Sequence, residues 1–383
     1  MKKRIFAAVL CLLLCVSSAV PALAVAGGPG ELLAGSAVLM EKETGQILYE
    51  QNAHAKLEPA SVTKVMTMLL VMEAIDGGGV LSWDQPITVS AHAVSMGGSQ
   101  IWLKVNEQMT VRDMFKAVAV VSANDCAVAL AEAVAGSEDA FVQRMNQRAG
   151  ELGMADTSFL NATGLPAAGH VTSAYDIALM SRQLILHHPD IREYTTIWMD
   201  SLRNGAFQLS NTNKLIRFYD GATGLKTGFT ATAHYCLSAT AERDGMELIA
   251  VTMNSPTSQD RFEAAKSLLN FGFANYALVN VYPDQAIPPV AVELGEYETV
   301  QPVLGDSSKV LLEKAQAAKV STALDLSASV QAPVEEGQIL GHMRVSVDNV
   351  VIADVPLVAD RSVDKLTVGG IFKRLVRPLF MAP

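Results

Sequence analysis

Cysteine is scarce in this chain, with four among 383 residues. Cys11 and Cys15 lie in an N-terminal stretch that we predict is removed, which leaves only Cys126 and Cys236. Two cysteines exclude the dense disulfide framework of small secreted domains. One bridge between them is allowed in an oxidising compartment. Because free cysteine usually behaves as a small core hydrophobe, we expect two buried and unpaired thiols.

Positive charge is also scarce, because 29 lysines and arginines face 39 aspartates and glutamates for a net charge of −10. Removal of residues 1–24 takes away three cations and no acid, so the net charge becomes −13. An acidic protein argues against nucleic acid as the partner, since phosphate recognition needs clustered basic side chains. The seven histidines show no metal-ligand spacing. We therefore expect neither a metal nor a cofactor.

The N-terminal apolar run is too short to cross a membrane. It extends from Ile5 to about Val16, whereas a spanning helix needs about 20 apolar residues. Three basic residues precede this run, and small residues ending in Ala24 follow it. This order is typical of a secretory signal. We predict that residues 1–24 are a signal peptide and that the mature protein acts outside the cytoplasmic membrane.

The mature chain divides into two folded parts and a short tail. Residues 25–276 combine helical periodicity with strand patterns, including a hairpin signal at Asp244-Gly245. They predict an α+β catalytic domain, in which an antiparallel sheet is flanked by helices and an all-helical subdomain is inserted near residues 80–155. Residues 277–360 hold short β-like segments between turn residues, which predicts a small β-sandwich domain.

The tail, residues 361–383, carries five basic side chains and one acid. Its apolar residues recur at helical period and are Ile371, Phe372, Leu375, Val376, Leu379 and Phe380. A basic amphipathic helix of this kind lies in the membrane interface. We predict peripheral anchoring to a membrane surface through this helix, with an ordinary docked C-terminal helix as the alternative.

A serine and a lysine three residues apart stand at the start of a predicted helix. Ser61 and Lys64 fall on one helical face, because positions i and i+3 are neighbours on a helix surface. The amine can then take the hydroxyl proton, which makes the serine a nucleophile. The pair is a weak signal alone, since a second one occurs at Ser362 and Lys365.

Two further motifs follow in chain order and make the joint signal strong. Ser122-Ala123-Asn124 ends a predicted helix, and Lys226-Thr227-Gly228 begins a predicted strand. Lysine has a reference pKa of about 10.4, too high for a base at neutral pH. Burial and a second ammonium both lower that pKa, and Lys226 is the candidate neighbour of Lys64. Ser122 can relay a proton, Asn124 can hold a substrate amide, and the strand can pair with an extended peptide.

These motifs resemble those of penicillin-recognising serine D,D-peptidases, and more narrowly the low-molecular-mass D-alanyl-D-alanine carboxypeptidases. The matching stretches are Glu58-Pro59-Ala60-Ser61-Val62-Thr63-Lys64, Ser122-Ala123-Asn124-Asp125, Lys226-Thr227-Gly228-Phe229-Thr230 and Arg243-Asp244-Gly245-Met246. The likeness covers nearly the whole chain. It implies a β-lactamase/transpeptidase-like catalytic domain, peptidoglycan stem peptides as substrates, and covalent inhibition by β-lactam antibiotics such as penicillins.

The resemblance also implies roles for individual residues. Ser61 would form an acyl-enzyme with Lys64 as its general base, Ser122 would shuttle the proton, and the terminal D-alanine would leave. The Lys226-Thr227-Gly228 strand would bind the substrate, with Arg261 helping Thr227 to hold the terminal carboxylate. The backbone N–H groups of Ser61 and Phe229 would form the oxyanion hole, and Phe229 stands where some relatives have a histidine.

Two other functions remain open from the sequence. A β-lactamase shares the three motifs but needs a group that activates water rapidly, often a glutamate on a loop. No glutamate between Ser122 and Lys226 stands in a Glu-x-x-x-Asn context. A non-catalytic cell-wall-binding sensor would keep only the pocket, and the intact serine and lysine residues argue against it. Among the histidines, His170 and His234 are the two that could lie near the cleft.

Overall fold

The computed structural model of this protein describes residues 28–305 and 309–372. The predicted signal peptide and residues 373–383 of the predicted amphipathic tail lie outside this range. Among the described helices, none has the length and apolar character that crossing a bilayer requires.

The described helices lie mostly between Lys64 and Asn275, whereas the C-terminal part consists mainly of strands. The α-helices are α1 (Lys64–Asp76), α2 (Ala91–Val94), α3 (Val111–Val121), α4 (Asn124–Ala135), α5 (Glu138–Glu151), α6 (Ala174–His187), α7 (Arg192–Thr195), α8 (Leu215–Phe218) and α9 (Ser258–Asn275). Short 3-10 turns occur at Ala60–Thr63, Pro189–Ile191 and Lys314–Lys319. The first strands are β1 (Ser36–Glu41), β2 (Ile47–Gln51), β3 (Pro86–Thr88), β4 (Gln108–Thr110), β5 (Met199–Leu202), β6 (Phe207–Ser210), β7 (Ala222–Thr230), β8 (His234–Arg243) and β9 (Met246–Ser255). The later strands are β10 (Tyr276–Asn280), β11 (Val290–Glu293), β12 (Thr299–Val300), β13 (Pro302–Leu304), β14 (Lys309–Glu313), β15 (Val320–Leu326), β16 (Ser329–Gln331), β17 (Ile339–Val347) and β18 (Val350–Ala359).

An antiparallel sheet in the order β2-β1-β9-β8-β7 forms the framework. Asp244 and Gly245 link β8 to β9 with φ angles of 51° and 75°, which is the turn geometry that matches strand twist. The predicted hairpin is therefore confirmed. Strand β7, which carries Lys226, lies at the sheet edge.

Helix α1 runs through the middle of the apolar core. Every residue from Lys64 to Met72 is buried, and a helix that is apolar on all sides belongs inside a protein. The sheet face towards α1 shares a core with the helical layer, and the opposite face packs on α9. The expected α+β class is confirmed, and the Ser61 turn enters the protein between sheet and helical layer.

The helical layer differs in detail from the expectation. A two-stranded sheet of β3 and β4 lies within the region predicted to be all-helical. The β5–β6 hairpin was not predicted. Helix α4 begins at Asn124, three residues earlier than its apolar periodicity indicated. The sequence predicts Thr110 and Ser173 as N-caps, because each precedes an apolar helical pattern, and both side chains cap their helices.

The C-terminal part is built from small sheets with orders β12-β11-β16 and β13-β18-β17-β15, while β10 pairs with β14. Two apolar clusters of its own lie between these strands. Strands β10, β15 and β16 were not predicted. Strand β10 begins directly after α9 with no turn residue between them, and β16 holds one apolar residue among three. Residues 368–372 are helical at the start of the predicted tail helix.

Candidate active site

Ser61 lies in a 3-10 turn that leads directly into α1. Lys64 is the first residue of that helix and is fully buried. Its Nζ lies 2.9 Å from Ser61 Oγ and 2.7 Å from the Thr163 carbonyl oxygen. The Thr163 carbonyl therefore helps to hold the Lys64 amine against the Ser61 hydroxyl.

The loop that presents Thr163 is fixed by the Asn161 side chain. Asn161 Oδ1 accepts from Thr163 N, Thr163 Oγ1 and Gly164 N at 3.1, 3.0 and 2.7 Å. Its Nδ2 donates to the Leu165 carbonyl oxygen at 2.9 Å. Gly164 has φ +81° and abuts the Ser61 turn, because a Cβ there would lie 1.8 Å from the Ala60 carbonyl oxygen. Only glycine fits this contact.

Two lysines share the buried site. Burial and then the charge of Lys226 hold the pKa of Lys64 well below its usual value. Burial and then the Arg261 guanidinium lower the pKa of Lys226 to about 7. Burial and the neighbouring like charge both disfavour the ammonium form of these two lysines. Both effects favour the neutral amine of Lys64 beside Ser61, which is the form that a general base requires.

Strand β7 brings its motif up to the nucleophile. Lys226 Nζ donates to the Thr227 carbonyl oxygen at 3.0 Å, and Thr227 Oγ1 donates to Thr212 Oγ1 at 2.7 Å. A Cβ at Gly228 would lie 3.1 Å from the Ser61 nitrogen and 2.8 Å from the Pro59 carbonyl oxygen. The glycine thus lets the strand backbone approach the Ser61 turn. As an edge strand, β7 also offers one side for strand addition.

Ser122 and Asn124, the second predicted motif, carry unused hydrogen-bonding groups. Ser122 ends α3 in the left-handed region at φ 65°. Within the described part of the chain, the buried Ser122 Oγ and Asn124 Oδ1 have no hydrogen-bond partner. Asn124 Nδ2 is held by the Gly97 carbonyl oxygen at 2.6 Å. Buried polar atoms are normally paired, so these two oxygens fit groups that a ligand supplies.

Arg261 lies on α9 and reaches β7 from behind. Its Nη1 donates to the Gly228 and Cys236 carbonyl oxygens at 3.0 and 3.4 Å. Burial lowers its pKa to about 10. Phe229 projects outward with 54% of its side chain exposed, beside the Tyr235 ring at 4.4 Å. These contacts join Ser61 to Lys64 and bring the Gly228 backbone against the Ser61 turn, with Arg261 bound to the strand backbone.

Other predicted features lie elsewhere. His170 is buried behind the Ser61 turn, where its Nδ1 accepts from Leu160 N and its Nε2 lies 2.8 Å from Thr63 Oγ1. Glu151 bonds Gln147 and Arg148 on α5. Cys126 and Cys236 are buried and unpaired, as expected.

The sequence interpretation missed three contributors that act through the backbone or at long range, namely the Thr163 carbonyl, the Gly97 carbonyl and the Thr212 hydroxyl. The residues from Asn161 to Gly164 are typical of a loop, but their sequence does not indicate that the Thr163 carbonyl would face Lys64. Every residue has a backbone carbonyl, so its role cannot be read from the residue type, and Thr212 lies outside the three motifs.

Comparison with known proteins agrees with this geometry. The Peptidase S11 family model, D-alanyl-D-alanine carboxypeptidase, matches residues 23–257, and a model of the penicillin-binding protein 5 C-terminal domain matches residues 276–365. D-alanyl-D-alanine carboxypeptidase DacF of Bacillus subtilis (strain 168) is 41% identical over 87% of this chain and 86% of its own length. D-alanyl-D-alanine carboxypeptidase DacC of Escherichia coli (strain K12) is 32% identical over 88% of this chain and 85% of its own length.

The solved structures give the same result. Penicillin binding protein 5 from Haemophilus influenzae superposes with a TM-score of 0.78 at 29% identity, over 89% of this chain and 100% of that one. A serine whose Oγ lies 2.9 Å from a buried lysine amine, a left-handed serine and a lysine-bearing edge strand thus occur in a chain of matching sequence and fold. This chain belongs to the D-alanyl-D-alanine carboxypeptidase family, peptidase S11.

Proposed function

We propose that this protein is a serine-type carboxypeptidase that removes the terminal D-alanine from peptidoglycan stem pentapeptides. The observation that carries the proposal is the 2.9 Å contact between Lys64 Nζ and Ser61 Oγ, made by a buried lysine whose pKa is lowered. A neutral amine at that distance is a competent base for the serine hydroxyl.

The reaction has two balanced steps. Lys64 takes the Ser61 proton as Oγ attacks the carbonyl carbon of the penultimate D-alanine. Ser122 Oγ passes that proton to the departing nitrogen, so D-alanine leaves and an ester to Ser61 remains. Water then attacks the ester, gives its proton to Lys64, and releases the shortened peptide with Ser61 restored. Backbone N–H groups of Ser61 and Phe229 receive the oxyanion in both steps, and losing one such donor costs about 3 kcal/mol of barrier.

Substrate binding follows from the edge strand and the unpartnered groups. An extended peptide adds to the free side of β7, with its terminal carboxylate near Thr227 and the Lys226 charge. The Asn124 amide takes a substrate backbone group. Arg261 contributes positive charge and, through its bond to the Gly228 carbonyl, orients the peptide unit that bears the Phe229 N–H. In a trans peptide the C=O and N–H point in opposite directions, so this bond turns that N–H towards the cleft.

A labelling experiment tests the nucleophile. Penicillins would acylate Ser61, so a fluorescent penicillin should label the wild type and fail to label Ser61→Ala. Ser362→Ala is the matched control, because Ser362 belongs to the other Ser-x-x-Lys pair and its Oγ accepts from Glu336 N at 3.0 Å, away from Ser61. Release of free D-alanine from a diacyl-D-Ala-D-Ala peptide measures the activity itself. Labelling that persists in Ser61→Ala would refute the assignment.

Acyl-enzyme lifetime separates this activity from that of a β-lactamase. We expect an acylated Ser61 to persist for minutes or longer, because none of the four glutamates between Ser122 and Lys226 stands in a Glu-x-x-x-Asn context and two of them are engaged elsewhere. Glu138 accepts from Ala162 N at 3.0 Å and lies 2.6 Å from His92, and Glu151 bonds Arg148. Turnover of the penicillin within milliseconds would contradict this.

The division of labour along the chain is part of the proposal. Residues 25–276 would form the catalytic domain, since Ser61 to Arg261 contain every group named above. Residues 277–360 would form a β domain outside the chemistry.

We also propose that the protein acts outside the cytoplasmic membrane and is held there by residues 361–383. Ile371 and Phe372 are 40% and 68% exposed at the end of the described chain, and the sequence continues their apolar stripe. Full-length protein should co-sediment with anionic lipid vesicles, and Phe372→Glu should weaken this. Val350→Glu, at an exposed position of β18, is the control that should not. Equal sedimentation of all three proteins would exclude anchoring by the tail.

A further inference from the structure

The backbone directly before the nucleophile adopts an unfavourable conformation. Ala60, which precedes Ser61, has a φ of 48° although it is not a glycine, and it is buried. A residue with a side chain rarely adopts this left-handed region, and such strain persists only where the surrounding structure enforces it. The turn that presents Ser61 therefore depends on contacts that hold it from outside.

Glu58 makes two contacts between the start of this turn and the β7–β8 hairpin. Its carboxylate oxygen Oε2 accepts a hydrogen bond from Thr232 Oγ1, in the turn between the two strands. Its carbonyl oxygen lies 3.8 Å from Cys236 Sγ, on β8. Thr230, the last residue of β7, lies with its Oγ1 3.3 Å from Thr232 Oγ1. One residue thus connects the segment that leads into the nucleophile with the end of β7.

The two segments that Glu58 joins carry the two proposed oxyanion donors. Ser61 follows Glu58 by three residues, and Phe229 precedes Thr232 by three. Their backbones touch between these points, because a Cβ at Gly228 would lie 3.1 Å from the Ser61 nitrogen. This contact limits how closely the segments can approach, but it does not prevent them from separating. The hydrogen bond between Glu58 and Thr232 opposes that separation.

We propose that Glu58 and Thr232 are positioning residues, whose hydrogen bond fixes the distance between the backbone N–H groups of Ser61 and Phe229. The proposal rests on the proposed function and adds two residues to its machinery. Donors stabilise a developing oxyanion most when they are already in place, because no reorganisation is then needed during the reaction. A bond that holds the donors in place therefore lowers the barrier and leaves the binding of the peptide unchanged.

Two substitutions of Thr232 and one of Glu58 test this role. Release of D-alanine from a diacyl-D-Ala-D-Ala peptide gives kcat and KM, with kcat expressed per Ser61 that a saturating fluorescent penicillin labels. Thr232→Val and Glu58→Ala should each lower kcat by about tenfold with KM unchanged, which is part of the roughly 100-fold that the loss of a whole oxyanion donor costs. The double variant should be no slower than either single one, because both remove the same bond. Thr232→Ser keeps the hydroxyl and should recover the wild-type kcat.

Thr44→Val is the matched control. Thr44 Oγ1 donates to Glu41 Oε2 at 2.7 Å, which is the same kind of bond in the turn between β1 and β2, and its loss should leave kcat per labelled Ser61 unchanged. A wild-type kcat in Thr232→Val, a rise in KM alone, multiplied losses in the double variant or no recovery in Thr232→Ser would overturn the positioning role while the carboxypeptidase assignment stands. A wild type that neither releases D-alanine nor reacts with the penicillin would overturn both.

Discussion

Gly164 offers a sharp test of how the catalytic lysine is positioned. A Cβ at this residue would lie 1.8 Å from the Ala60 carbonyl oxygen and 2.8 Å from Thr63 Oγ1. An ordinary carbon–oxygen contact is about 3.3–3.6 Å, so Gly164→Ala must separate the loop from the Ser61 turn by about 1.5 Å. The 2.7 Å bond from Lys64 Nζ to the adjacent Thr163 carbonyl oxygen cannot survive that separation.

We expect a large loss of acylation rate, because the rate depends strongly on the exact positions of the reacting groups. A displacement of about 1 Å can cost about 100-fold in rate, and we expect at least that loss in the second-order rate of acylation by a fluorescent penicillin. Gly169→Ala is the matched control, since Gly169 has a similar φ of +92° but its Cβ would meet only Leu160 Cδ1 at 3.8 Å. Both variants incur the left-handed conformation, which costs about 1–2 kcal/mol. Wild-type acylation by folded Gly164→Ala would refute the positioning argument.

Three further changes have defined outcomes. Lys226→Met removes a charge that lowers the pKa of Lys64, so the acid limb of the acylation rate should move to higher pH, and an unmoved limb would exclude this coupling. Glu247→Gln removes a buried carboxylate that bonds Arg192 at 2.5 Å and Thr223 at 2.7 Å; it should lower the free energy of unfolding by about 3 kcal/mol without changing penicillin labelling per folded molecule. Burial lowers the pKa of His170 from 6.5 to about 4. As pH falls, the His170 imidazole therefore takes up a proton in the unfolded chain before it does so in the folded one. The free energy of unfolding should then fall by roughly 3 kcal/mol between these two pH values. Urea unfolding at several pH values should show this fall in the wild type and a smaller one in His170→Gln.

The sequence predicted the elements whose signals are local. The Asp244-Gly245 hairpin, the caps at Thr110 and Ser173 and the buried helix behind Ser61 depend on residues close in the chain, and each is present. The three motifs carry side-chain chemistry, so their letters were enough to propose one cleft.

The features that the sequence did not predict depend on contacts between segments that are distant in the chain. Helix α4 was expected to begin at Ala127, but Asn124 and Asp125 enter it because the Asp125 carboxylate bonds the backbone at Ile101 and Leu103. The carbonyl groups of Thr163 and Gly97 have no sequence pattern of their own. They contact Lys64 and Asn124 only because the fold brings these distant segments together.

The pairing of β1 with β9 determines when Ser61 can become reactive during folding. Ser36 pairs with Met253 and Glu41 with Leu248, so the sheet closes only after β9 has been synthesised. Pairing between remote segments is slow, because the entropy of a long loop must be lost before the contacts form. Until that closure, Ser61 has no completed sheet beside it. A chain that has not yet been extended through β9 therefore lacks the sheet that packs beside Ser61, and we expect its hydroxyl to become reactive only after β1 and β9 have paired.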